Sequence, residues 1–248
     1  TPLARPPGTR VYSDLGFIAL GELVAAASGE PLDAFCAREV FAALGASDTR
    51  FHDLRSPILD PAGVAPTGRT RPREPAPGQE ALYDVHEQDP EVRPGEVDDD
   101  NAFAMGGVAG HAGVFSTASD VARLGWAFAL EVGGAERFTP RGLMAEFARP
   151  DPGVEGPVRG LGFDRAAPTG SSAGDRFGRA GPHGAIGHLG FTGCSLWIDL
   201  DRRAVAVLLT NRVAYGRAHV EPIRALRPRF HDVVAAIVDG LPSAPSST

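Results

Sequence analysis

Tyr12-Ser13-Asp14 stands at the mouth of an apolar stretch, and Gly187-His188-Leu189-Gly190-Phe191-Thr192-Gly193 sets a histidine among glycines. These residue types suit acyl transfer, which needs a nucleophile, a base for its proton, donors for the developing oxyanion and a group that orients the substrate. Tyr12 is a candidate base. A phenol is a poor base at its ordinary pKa of about 10, but cationic neighbours and the positive end of a helix lower it. The other reading of Tyr12 is a tyrosine stacked at the edge of the core. His188 sits in a glycine-rich loop just before a strand, where backbone can also approach a ligand closely; its other reading is a structural histidine. Phe191, one residue past the Gly190 turn, can aim its backbone N–H at an oxyanion. No nucleophile is assigned.

The elements that must position these groups follow from pattern. Ser13 suits the N-cap of a helix, with Asp14 favourable in its first turn. Leu15, Ile18, Leu23, Val24 and Ala27 belong to an almost wholly apolar run, which predicts a helix buried on most sides. Gly29 ends it, and Pro31 opens an amphipathic helix through Leu32, Phe35, Cys36, Val40, Phe41 and Leu44 that stops at Gly45. Residues 56–101 are rich in Pro, Gly and acids and read as a long loop, of the kind that rims active sites. Its run Glu96-Val97-Asp98-Asp99-Asp100-Asn101 lacks the glycine and the closing glutamate of a calcium loop and reads as solvated acids. The glycines from Met105 to Phe115 match no phosphate loop and imply close backbone packing. Thr117-Ala118-Ser119-Asp120 is a capping box that opens a helix to about Glu131. A shorter helix follows Thr139-Pro140, and a short strand is expected at Leu161–Phe163. Strands at Cys194–Asp199 and Ala204–Thr210 flank a Leu200-Asp201-Arg202-Arg203 turn, and a helix closes the fold over about Val220–Leu241.

Bulk properties exclude several classes. A chain of 248 residues with 43% hydrophobic content buries a core. A formal charge of -7 argues against a nucleic-acid partner, and Arg69-Thr70-Arg71-Pro72-Arg73 reads as a solvated loop. Cys36 and Cys194 form no disulfide framework or metal spacing and read as small buried residues. A metal site on His111, His183 and His188 finds no accompanying H-E-x-x-H or carboxylate spacing, so no metal is expected. No stretch is long enough for a transmembrane helix. The chain opens on Thr1, so its native start and its compartment, cell envelope, periplasm or cytoplasm, stay open.

Four segments carry a family resemblance. Val11 to Gly21, with Ala27-Ser28-Gly29-Glu30-Pro31-Leu32, is similar to the Tyr-Ser-Asn segment of β-lactamase-related serine hydrolases: class C β-lactamases, D-alanyl-D-alanine carboxypeptidases and esterases of that fold. Phe41-Ala42-Ala43-Leu44-Gly45-Ala46-Ser47-Asp48-Thr49, Gly107 to Asp120, and Gly187 through Arg212 resemble further family segments in the family's order. The resemblance runs from about Arg10 to Leu241.

It implies an α/β (α+β) fold with a helical lobe over about 14–150, an antiparallel sheet lobe over about 158–241 and a disordered tail at 242–248. It also implies catalysis through an acyl-enzyme without metal or organic cofactor. Tyr12 takes the base or proton-shuttle place and His188 that of the lysine in Lys-Thr-Gly. Asp14, Leu189, Gly190 and Phe191 bind substrate, Phe191 through its N–H. The first family motif, Ser-x-x-Lys, supplies nucleophile and lysine. It cannot exist here, because all 24 Lys/Arg positions are arginine. The chain thus reads as N-terminally incomplete, with an unprotected sheet edge and an exposed apolar face. Asp14 replaces an amide donor, His188 carries a pH-dependent charge, and Leu189 lacks the hydroxyl that holds a substrate carboxylate. The substrate is therefore a small ester, amide or peptidoglycan-like molecule, with the ester or a less usual amide favoured over a β-lactam. The rival reading is an inactive relative that binds peptidoglycan fragments or a protein partner.

Overall fold

In a computed structural model, residues 12–57, 59, 62–65, 67, 94–135, 139–151, 158–179, 181–215 and 220–241 are described. The run Arg69–Arg73, most of the long loop and the Ser/Pro tail lie outside them. Helix α1, Asp14–Ser28, follows Ser13 in extended conformation and ends on Gly29 (φ 75°), whose N–H donates to the Ala25 carbonyl. Ser13 holds the N-cap position as expected, but its hydroxyl makes no capping bond. Helix α2, Leu32–Leu44, carries a π turn at Ala37–Phe41 and stops at Gly45 (φ 64°). Strand β1 (Arg50–Phe51) pairs antiparallel with β2 (Val114–Phe115). Between them lies the short helix α3, Asp100–Ala104. Thr117 then caps α4, Ala118–Val132, by accepting the Asp120 N–H. Asp120 does not return the bond; its carboxylate accepts the Asp48 N–H at 2.9 Å and the Thr49 hydroxyl at 3.0 Å, tying α4 to the loop after α2.

Helix α5 (Leu143–Ala148) leads to β3 (Asp164–Arg165), β4 (Ala185–Leu189), β5 (Ser195–Asp199) and β6 (Ala204–Leu208). A 3-10 turn (Arg212–Tyr215) and α6, Glu221–Asp239, complete the described chain. The four strands form one antiparallel sheet in the order β3-β4-β5-β6, with His188 opposite Leu196 and Trp197 between Gly187 and Ala206. Alternation divides its faces. Ala185, Trp197 and Ala206 pack with Ala173 and Phe177 against Ala235, Val234 and Val238 of α6. Ile186, Ile198, Leu196 and Val205 meet Phe128, Ala129 and Val132 of α4 and Ala148 of α5. Trp197, Ile186 and Ile198 are fully enclosed, each worth about 1.5–3 kcal/mol in hydrophobic transfer. Gly125 lets α4 press onto the sheet, since a Cβ there would lie 2.7 Å from Val205 Cγ1.

Several expectations are corrected. Helix α1 is not buried on most sides: Leu15 is 72% and Leu23 62% exposed, and only Gly21 is buried. Among the described residues α1 meets α2 and the glycine loop, which together cover one flank. The apolar face expected to be exposed on the sheet is instead covered among the described residues, by α6 on one side and by α4 and α5 on the other; β3 and β6 are the two edges of the sheet there. His188 lies inside β4, not in a loop before a strand. The strand expected at Leu161–Phe163 falls instead at Asp164–Arg165, because Gly162 (φ 73°) makes a turn there. Glu96 and Asp98 are buried rather than solvated, and Asp99 caps α3. Both cysteines are half-buried and free. Among the described residues no single helix is long and apolar enough to cross a membrane.

Candidate active site

Close backbone packing builds one wall of the site. A Cβ on Gly110 would fall 2.1 Å from the Phe17 carbonyl oxygen, and one on Gly21 would fall 3.0 Å from Gly110 Cα. Only glycines allow this approach. It lays the 106–113 loop against the first turns of α1 and brings His111 towards Asp14. Asp99 Oδ1 accepts both the Ala102 N–H at 2.8 Å and His111 Nε2 at 2.7 Å. Burial pushes the Asp99 carboxyl up, but the bonds from Ala102 and His111 outweigh it and hold the group below the usual carboxylate range. The other ring nitrogen of His111, Nδ1, is buried without a partner.

Tyr12 precedes α1 and remains 60% exposed. Its ring lies 6.3 Å from that of His188, tilted by 31°, so the two candidate catalytic groups from opposite ends of the chain do meet. The Arg159 guanidinium also stands near, 5.6 Å from the Tyr12 ring centroid. Arg159 is itself ion-paired with Asp164. Partial burial and then the Asp14 charge raise the Tyr12 phenol above 10.0; Arg159 opposes them, while Asp164 and Asp99 add to the rise. This is the reverse of the lowering that cationic neighbours would give. One guanidinium shared with Asp164 does not offset burial and three nearby carboxyls.

The glycine segment after β4 is a hairpin loop. Gly190 N–H donates to the Cys194 carbonyl at 2.8 Å and Gly193 N–H to the Gly190 carbonyl at 3.0 Å. Phe191 projects from the loop with the Arg212 guanidinium 4.4 Å over its ring, and Arg212 Nε donates to the Phe191 carbonyl at 2.8 Å. Leu189 points the other way, against the core cluster that contains Trp197. Of the expected site residues, Tyr12, Asp14 and His188 therefore share one face, Gly190 and Phe191 flank it, and Leu189 is packed beneath.

The histidines considered for a metal do not gather among the described residues, since His183 Nδ1 pairs with Asp201 at 2.7 Å. The group with ligand-like spacing there is instead Asp14, Asp99 and His111, with atoms within 4.8 Å of one another. Asp99, His111, Arg159 and Asp164 were not singled out from sequence as part of the acyl-transfer site. The glycine-dense stretch was a signal for His111; nothing local marks Arg159.

The helix-flanked antiparallel sheet, with Tyr12 at a helix mouth facing His188 of β4, is consistent with the family resemblance carried by the sequence. The match of the Beta-lactamase family model to residues 1–227 agrees, and this chain belongs to that family. It is 33% identical over 221 residues to N-acetylmuramyl-L-alanine amidase of Bacillus subtilis (strain 168), covering 85% of this chain and 46% of that protein. It is 31% identical over 223 residues to a Salmonella agona (strain SL483) protein with the provisional name D-alanyl-D-alanine carboxypeptidase, covering 86% of this chain and 48% of that one. The chain thus spans about half the length of these relatives. Among solved structures, a β-lactamase from Mycobacterium bovis shares the fold with a TM-score of 0.57 at 20% identity, over 95% of this chain and 66% of that one.

Proposed function

We propose that this chain carries the acid–base and oxyanion side of a serine acyl hydrolase whose nucleophile, in a Ser-x-x-Lys motif, is not among these 248 residues. The observation that carries the reading is the meeting of Tyr12 and His188, 6.3 Å apart, at the mouth of α1. A serine Oγ entering there attacks the acyl carbon and passes its proton to the neutral amine of the lysine in its own motif, while the carbonyl oxygen gains charge beside the Phe191 N–H. Collapse of that intermediate breaks the bond to the leaving group, which takes a proton from Tyr12, and water later cleaves the acyl-enzyme. The raised phenol keeps Tyr12 protonated at neutral pH and ready for the acid step. To act as base it needs an added cation, the role of a lysine reaching Asp14.

Small esters and amides, including peptidoglycan-type amides, are the proposed substrate class, in keeping with the names of the relatives. Leu189 in the core places no hydroxyl where a substrate carboxylate would be held. Neutral esters are therefore the better substrates. The absence of lysine and the raised Tyr12 phenol also favour a second reading, a relative that binds peptidoglycan fragments without turnover. The two separate on one experiment. With an upstream Ser-x-x-Lys segment joined to the chain, p-nitrophenyl acetate should be hydrolysed faster than a D-alanyl-D-alanine peptide. Binding of a muropeptide with no turnover of either would favour the second reading.

A further inference from the structure

The loop that carries Phe191 is gripped from below by a residue outside every motif. Arg227, on α6, is only 7% exposed. Its Nη2 donates to the Gly190 carbonyl at 2.7 Å and to the Cys194 carbonyl at 2.8 Å, the two carbonyls that close the hairpin loop. Both also accept backbone bonds within the loop, so each uses two acceptor positions.

We propose that Arg227 is a positioning residue that aims and polarises the Phe191 N–H as an oxyanion donor. The proposal rests on the acyl-transfer reading above. Its geometry follows from the peptide bond. The Gly190 carbonyl and the Phe191 N–H belong to one planar trans unit, in which C=O and N–H point in opposite directions. A carbonyl drawn down onto a buried guanidinium therefore turns its own N–H up, away from α6 and out of the core. A charged donor on that carbonyl also draws electron density through the peptide unit and strengthens its N–H as a donor. Arg227 thus sets both the direction and the strength of a group one bond away from its contact. Gly193 completes the loop with φ 109°, and a Cβ there would lie 2.0 Å from Thr210 Oγ1. The loop has little freedom to re-aim the peptide by other means.

The test has two arms. In the ¹⁵N-labelled 248-residue chain, Arg227→Met should move the Phe191 amide proton upfield, while Val205, away from the loop, stays in place. Arg227→Lys keeps charge and donors and should give a smaller move; it carries the test if the Met variant does not fold. In a chain extended by a Ser-x-x-Lys segment, Arg227→Met should lower kcat for a p-nitrophenyl ester about 10²-fold, with KM within about twofold. The matched thionoester, whose sulfur is a poor hydrogen-bond acceptor, should lose much less. An unmoved Phe191 resonance, or equal losses for ester and thionoester, overturns the proposal. If the extended chain with Arg227 intact hydrolyses neither ester, the acyl-transfer reading fails. The Phe191 resonance then still decides whether Arg227 aims that peptide.

Discussion

Acidifying this chain from pH 7 to pH 4 should remove about 3 kcal/mol of folding stability through His231 alone. His231, on α6, has no exposed surface. Nε2 lies 3.0 Å from Ser195 Oγ, and Nδ1 has no partner. The rings of Phe177 and Phe230 stand 6.1 Å and 5.1 Å away. Burial and then the nearby Arg227 push the imidazole from 6.5 down to about 4, with Asp232 opposing weakly. The sign follows from linkage: a histidine kept neutral in the fold stabilises it fully above the unfolded pKa near 6.5. That stability is lost as the unfolded chain takes up a proton the folded chain refuses, down to pH 4. At ~1.4 kcal/mol per pH unit, the window from 6.5 to about 4 is worth about 3 kcal/mol, a large part of the 5–15 kcal/mol typical of a domain. Urea unfolding followed by the fluorescence of buried Trp197 at pH 7, 5.5 and 4 measures it. His231→Gln keeps a polar partner for Ser195 but does not titrate. Other shifted groups, including His52 and Asp201, remain in both proteins and cancel in the comparison. The variant should lose about 3 kcal/mol less than the parent over this range. Parallel pH profiles for the two would refute the burial argument.

Three further outcomes follow from the geometry. Tyr12→Phe, in a chain extended by Ser-x-x-Lys, should slow acyl-enzyme formation on p-nitrophenyl acetate by about 10²–10⁴-fold; a rate within about threefold of the parent would remove Tyr12 from the mechanism. Gly110→Ala drives a methyl to 2.1 Å from the Phe17 carbonyl oxygen and should cost about 1–3 kcal/mol in urea unfolding. An unchanged midpoint would mean that the loop lifts off α1 freely. Leu189→Thr places a hydroxyl where Leu189 packs against the core. It should lower thermal stability without shifting preference towards carboxylate substrates, and a clear shift in that preference would place the side chain at the substrate.

Local chemistry made much of the framework legible in the sequence. Thr117 caps α4, Gly29 and Gly45 end α1 and α2 with positive φ, and the expected turn at Leu200–Arg203 joins β5 to β6. What escaped was set by distant partners. Gly187 breaks the apolar pattern of β4, yet it is required because the Trp197 ring occupies the space of a Cβ, at 2.6 Å. An all-apolar helix announces burial but not its partner, so the exposure of α1 was not readable. Tyr12 and His188 were legible as a pair because their flanking residues carry the family pattern. Arg159 reaches Tyr12 from a loop of no regular pattern, and Asp99 and His111 come together with Asp14 where the glycine loop packs closely on α1. Burial first and then the carboxyls of Asp14, Asp164 and Asp99 raise the Tyr12 phenol, a setting that no spacing in the sequence discloses.

The central claim is that these 248 residues hold the partners of a serine nucleophile but not the nucleophile itself. Intact-mass analysis after incubation with a fluorophosphonate and with a labelled penicillin tests it most directly. The chain alone should stay unmodified, Ser13 included, although Tyr12 and Asp14 flank it. Joined to a Ser-x-x-Lys segment, the same chain should take up one adduct on the added serine. A stoichiometric adduct on the chain alone that disappears in Ser13→Ala would contradict the account.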